Sequence, residues 1–253
     1  HYVLGNGLGM LSGLISYPIL TRVLEPAEYG LLGLVSSTLL GGVAIGKLGI
    51  QNSLIRFFAE ARRDGRLAQL AATYITAGLV AAGATTVLLA AGAWGLGQLE
   101  VLGERLAYLL ILTSPLVLVR TQHSLGLSLL RADERSRAWS AVDVAHRYAC
   151  LALGLVGALY VIGGVEGFFT GLLAAETVML AVVAVVASKV APLGIGRPDR
   201  EVLRTAVAFG LPLLFFELTS IALAFGDRIL ILQMLGEDPL GHYTAAYNLS
   251  DTL

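Results

Sequence analysis

An all-α fold, a polytopic transmembrane helix bundle, is predicted by three observations. Only 14% of the 253 residues are charged, and 56% fall in the apolar and aromatic set that includes Tyr and Cys. A soluble domain carries about 25% charge. Mean hydropathy is +0.77. Uncharged runs of about twenty residues recur along the chain, the length a helix needs to cross about 30 Å of hydrocarbon. No aqueous fold of this size buries so much apolar surface, so the bilayer is the natural solvent. Soluble enzymes, nucleic-acid binders and disordered chains are excluded, and a net charge of −1 offers nucleic acid no global field.

The spans follow in order. Residues 2–21 hold no Asp, Glu, Lys or Arg. A polar turn with Pro26 leads to a second span, 29–59, with Lys47 inside it. The basic loop Arg62–Arg66 precedes an uncharged third span, 67–99, and a fourth, 106–130, carries Pro115 and Arg120. After the charged loop Arg131-Ala-Asp-Glu-Arg-Ser-Arg137 comes the fifth, 138–161, closed by Gly163 and Gly164. The sixth, 165–188, has Glu176 near its middle. Residues 189–204 form a basic connection with Pro192 and Pro198. The seventh begins at Thr205 and holds Pro212, Glu217, Asp227 and Arg228. Pro239-Leu-Gly241 turns the chain into an eighth. The chain opens at His1 with no basic leader and stops inside that eighth span, so it reads as a piece of a longer protein.

Loop charge sets the expected orientation. Connections 2–3, 4–5 and 6–7 hold 11 Lys and Arg, the others only Arg22 and Arg105. Cytoplasmic loops are the Lys/Arg-rich ones. The bias therefore places the N-terminus and the basic loops in the cytoplasm, with the chain multi-pass in the cytoplasmic (inner) membrane.

Small residues four apart let helices approach closely in lipid. Gly5, Gly9 and Gly13 make one such ladder, and Gly163, Gly167 and Gly171 another. Tyr29–Leu39 and Tyr243–Leu253 agree at Tyr, Ser, Thr and Leu in register, a faint repeat suited to a transporter of two related halves. Cys150 stands alone, which leaves no intrachain disulfide and no Cys-based zinc site. There is no GxxxxGK[ST] loop, no HExxH and no nucleophile elbow. The expectation is therefore a non-enzyme with no catalytic residue, cofactor or metal.

The stretch Leu20-Thr-Arg-Val-Leu-Glu-Pro-Ala-Glu-Tyr-Gly30, followed by Lys47-Leu-Gly-Ile-Gln-Asn-Ser-Leu-Ile-Arg-Phe-Phe-Ala-Glu60, resembles the start of oligosaccharide flippases of the Wzx type. These polysaccharide biosynthesis proteins belong to the multidrug/oligosaccharidyl-lipid/polysaccharide exporter superfamily. Gly226-Asp-Arg-Ile-Leu230 and Leu240-Gly-His-Tyr243 resemble that family's seventh span and the turn after it. The resemblance implies two six-helix lobes around a central cavity. Residues 1–190 would be the N-terminal lobe, 191–204 a cytoplasmic connection, and 205–253 the start of the second lobe. It also implies alternating-access export of a lipid-linked oligosaccharide, with partners in a polyprenyl-diphosphate-linked oligosaccharide, membrane lipids and the rest of the C-terminal lobe, and none in nucleic acid. The rivals are a cation-coupled drug exporter of the same superfamily and a membrane-embedded polymerase or glycosyltransferase. The short outer loops argue against the last.

Charges inside spans cost several kcal/mol unless paired or hydrated, so they mark candidate sites. Lys47 with Gln51 and Asn52 forms a polar patch on the second span, which in the resembled family lines the cavity. There Lys47, Gln51 and Arg56, with Arg22 at the outer rim, would hold an anionic carrier diphosphate. For Arg56 and Arg22 an interfacial anchor is the competing reading. Glu217 and Arg228 fall on one helix face with Asp227 a quarter-turn away. They serve either ion coupling or, for Asp227 and Arg228, the outer interface. Asp143 and Arg147 are i,i+4 partners, with His146 adjacent and Arg120 at similar depth, and read as a structural ion-pair cluster locking spans four and five. Glu176 is the isolated proton-carrier candidate, or a protonated hydrogen-bond donor to a neighbouring helix.

Overall fold

A computed structural model describes the backbone of residues 2–252 and the side-chain surroundings of Gly7 and residues 11–248. Every element among the described residues is helical: α1 (Tyr2–Val23), α2 (Pro26–Lys47), α3 (Ile50–Arg63), α4 (Leu67–Gln98), α5 (Glu104–Thr113), α6 (Pro115–Ala132), α7 (Ser136–Val156), α8 (Gly164–Ala187), α9 (Arg200–Leu235) and α10 (Glu237–Thr252). A π-helical turn, Gly157–Val161, extends α7. Among the described residues, five segments are long and apolar enough to cross a membrane: α2 with α3, α4, α7 with its π turn, α8 and α9. The protein is a multi-pass membrane bundle, and α1, α5 and α6 pack into it.

The helices run up and down, and the core divides accordingly. One apolar cluster, with Leu24, Tyr29, Ala93, Leu106 and Val165, gathers where α1 meets α2, α4 meets α5 and α7 meets α8. The other, with Ala61, Leu70, Leu130, Trp139 and Ala191, gathers at the opposite turns. All three basic connections come together at that second end. Arg62 bonds Asp133. The Arg135 guanidinium reaches the Lys189 carbonyl at 3.3 Å, and Gln69 donates to Asp199 at 2.8 Å. The exposed Asp64 there is held below the usual carboxylate range by hydrogen bonds from Arg66 and Arg63.

Several boundaries differ from the sequence expectation, each for a local reason. The second span is two helices. Leu48 at φ 50° and Gly49 at φ 68° break it, because Gly49 lies against the backbone of Gly210 on α9, with no room for a Cβ. Only glycine adopts that conformation without strain while another backbone sits so close. The fourth span divides at Ser114-Pro115, where proline supplies no N–H to the ladder. The seventh begins earlier, at Arg200, and runs unbroken through Pro212 to Leu235. Asp199 caps it, its Oδ1 accepting from the Glu201 and Val202 amides at 2.8 and 3.2 Å. Replacing Asp199 with Ala should cost about 1 kcal/mol, and with Asn almost nothing; thermal unfolding of the detergent-solubilised protein will separate the two.

The predicted glycine ladders are also revised. Gly163 is not a packing residue: at φ 90° it precedes α8, with open space where a side chain would stand. The close contact is made by Gly157 against Gly167 and by Gly171 against the Leu153 carbonyl. Gly5 and Gly9, and the end of the 243–253 repeat, lie outside the residues whose surroundings are described.

Candidate functional site

Among the described residues, polar groupings interrupt the apolar interior at several places. The first lies on the seam between α2/α3 and α9. Lys47 is the last residue of α2, immediately before the Leu48–Gly49 break, and the Gly49–Gly210 approach carries α9 against it. Its ammonium donates to Glu217 at 2.9 Å, the two side chains 13% and 29% exposed. The two groups assigned separate tasks from sequence are thus one ion pair. Gln51 lies beyond the break, in the first turn of α3, half-buried, its carbonyl oxygen without a partner. Arg56 is exposed on α3, and Arg22 is exposed in the last turn of α1. The structure does not gather these two arginines around Lys47.

Glu217 and Arg228 share a helix but not an environment. Arg228 is 3% exposed, so the reading that leaves it at an exposed interface gives way. It donates to the Gly33 carbonyl at 3.0 Å and stacks its guanidinium 4.6 Å from the centre of the Phe225 ring and 5.3 Å from that of Tyr247. Asp227 accepts from the Tyr243 hydroxyl. At the end of the bundle where α1 meets α2, Arg105 joins Glu28 at 2.6 Å and Glu166 at 2.7 Å, tying α2, α5 and α8. Nothing in the spacing of those three residues had singled them out.

The second grouping sits among α6, α7 and α8. Asp143 and Arg147 form their i,i+4 pair at 3.0 Å along α7, on the same helical face as His146. Arg120 is not a member of that pair. Its Nε donates to Oε1 of Glu176 at 2.8 Å, so the ion pair joins α6 to α8, and α7 enters the network through His146 rather than through Asp143 and Arg147. Glu176 is not isolated either: 1% exposed, it also meets His146 Nε2 through Oε2 at 2.7 Å. His123 stacks on His146, ring centroids 4.3 Å apart. A cavity of about 420 Å³ opens beside them, bounded on its other side by Ser12, Gly13 and Ser16 of α1. Sequence reasoning passed over His123 and read Cys150 only as excluding a disulfide and a Cys-based zinc site. The signal was present, since 143, 146, 147 and 150 fall on one helical face, as do 120 and 123.

The whole chain, residues 1–253, matches the family described as polysaccharide biosynthesis protein. The chain belongs to that family. No curated protein matches it in sequence. Among solved structures, a MATE protein in complex with MaD3S superposes with a TM-score of 0.75 at 19% identity, over 98% of this chain and 58% of that one. An inward-facing multidrug resistance MATE family transporter of the MOP superfamily gives 0.70 at 18%, over 96% and 58%. A MOP superfamily transporter from Pyrococcus furiosus, described as having a binding pocket of reverse polarity, gives 0.73 at 18%, over 98% and 57%. The polysaccharide biosynthesis chain thus has a MATE-like lobe fold, and it spans under three-fifths of these relatives' length.

Proposed function

We propose that the complete protein exports a lipid-linked oligosaccharide across the cytoplasmic membrane by alternating access, its polyprenyl tail remaining in lipid. The observation that carries this reading is the Lys47–Glu217 pair on the α2/α3–α9 seam of a polysaccharide biosynthesis family member. A lysine held in low dielectric by one carboxylate is a site at which an incoming diphosphate competes with that carboxylate. Exchange of partner gives the substrate a differential affinity for the open seam, which is what a ligand needs in order to shift a conformational equilibrium. Gln51, in the first turn of α3, adds an unpartnered acceptor for sugar hydroxyls, and exposed Arg56 and Arg22 attract the head group at either end.

Residues 205–253 belong in this reading to a second lobe whose remainder completes the cavity wall. The N-terminus and the three basic connections face the cytoplasm, in keeping with the 11-to-2 loop bias. The test is surface glycan in cells whose only copy is the full-length protein carrying Lys47→Ala with Arg56→Ala. Glycan should vanish at unchanged membrane abundance, and normal glycan would end the assignment. A cation-coupled drug exporter is the second reading, favoured by the likeness to a multidrug resistance MATE family transporter. It predicts instead that Glu217→Gln abolishes drug resistance and leaves glycan intact.

A further inference from the structure

We propose that His146, Cys150 and Glu176 form a binding site for one divalent metal ion of the zinc class. The nitrogen, sulfur and carboxylate oxygen that they offer all lie within 4.8 Å of one another. His146 and Cys150 are i,i+4 neighbours on α7, and Glu176 comes from the facing turn of α8. Ligand atoms around a tetrahedral zinc stand about 3.3–3.8 Å apart, given bonds of about 2.0–2.3 Å. Side-chain adjustment of about 1 Å therefore closes the site without moving a helix.

The donor set selects the ion. Thiolate, imidazole and carboxylate together suit zinc and its transition-metal neighbours, whereas magnesium, calcium and alkali ions favour oxygen alone. The lone cysteine argues against a centre built on several thiolates, but a mixed site needs only one. The surroundings are those of a prepared ligand set. Arg120 holds Oε1 of Glu176 and leaves Oε2 directed at His146, which is how outer partners orient a ligating carboxylate. The roughly 420 Å³ cavity gives access and room for a water as fourth ligand.

A second, independent observation points to an occupant. His123 lines the same cavity, is 5% exposed, and keeps its Nε2 buried without a hydrogen-bond partner. A metal-bound water would satisfy that nitrogen. Charge also balances: two positive charges on the metal meet one thiolate and one carboxylate, leaving a neutral unit beside Arg120. Binding releases the Cys150 thiol proton and any proton shared between His146 Nε2 and Glu176 to solvent. The ion would staple α7 to α8 inside the lobe.

The test is titration of the full-length protein in detergent with Co²⁺, followed by Zn²⁺. A thiolate-to-cobalt band in the near ultraviolet, with the visible bands of four-coordinate cobalt, should rise to one equivalent and disappear on adding Zn²⁺. Cys150→Ser should lose the near-ultraviolet band. His146→Gln should keep it but need at least about tenfold more Co²⁺. A wild-type protein with no thiolate band overturns the proposal whatever the variants do. So does a band unchanged in Cys150→Ser, or an affinity unchanged in His146→Gln. None of these readouts depends on transport, so the flippase reading and the metal site stand or fall separately.

Discussion

Replacing Glu176 with Ala will destabilise the folded protein by about 3 kcal/mol, the lower end of what removing one partner of a buried ion pair costs. The carboxylate is 1% exposed and serves two groups, Arg120 and His146. Its loss leaves a guanidinium on α6 with no counter-charge and an imidazole with no acceptor. Arg120 keeps 27% of its side chain exposed, so part of its charge finds water in the cavity, and the full penalty of a dry interior is not reached. The same reasoning predicts rescue. With Arg120→Leu added to Glu176→Leu, no charge is stranded and α6 meets α8 through apolar side chains, so most of the lost stability returns. Thermal unfolding of wild type, Glu176→Ala and the double variant in one detergent checks both statements. A double variant no more stable than Glu176→Ala would mean that the network holds the lobe by something other than charge compensation.

The spans were legible because lipid leaves the backbone so little choice. Any crossing must satisfy its own hydrogen bonds, and uncharged runs near twenty residues admit only helix. Breaks and partners were not legible, since both are set by helices distant in sequence. Leu48 and Gly49 leave the helix because Gly210, more than 150 residues away, brings its backbone there; Gly49 permits the break, but nothing in Lys47–Ile50 requires it. The charged residues within spans were identifiable by their cost in lipid, but their pairing depends on how far one helix slides along another. Hence, in sequence alone, Lys47 and Glu217 read as separate groups, and Arg120 reads as a partner of Asp143 and Arg147 rather than of Glu176. Arg105, Glu28 and Glu166 escaped notice for the opposite reason: near the ends of spans, charge is unremarkable, and only the fold shows that three such ends converge.

Gly171→Ala will lower stability by about 1–3 kcal/mol, the range for forcing extra atoms into a packed interior, and Gly157→Ala will do the same. In water-soluble helices this substitution usually helps, because alanine exceeds glycine in helix propensity by up to about 1 kcal/mol. Here the new methyl group of Gly171→Ala would meet the Leu153 carbonyl, and that of Gly157→Ala the Gly167 carbonyl. Both obstacles are backbone, so no rotamer change relieves them, and α7 and α8 must separate along their closest stretch. Gly92 supplies the contrast: it lies in α4 with open space where its Cβ would be, so Gly92→Ala should be neutral or slightly stabilising. Gly157→Ala and Gly167→Ala touch the same contact, so their combination should cost less than the sum, as expected for residues sharing one interface. If the alanines at 171, 157 and 92 instead raised the melting temperature alike, propensity would govern this bundle, and the glycine contact between α7 and α8 would not be what draws the two helices together.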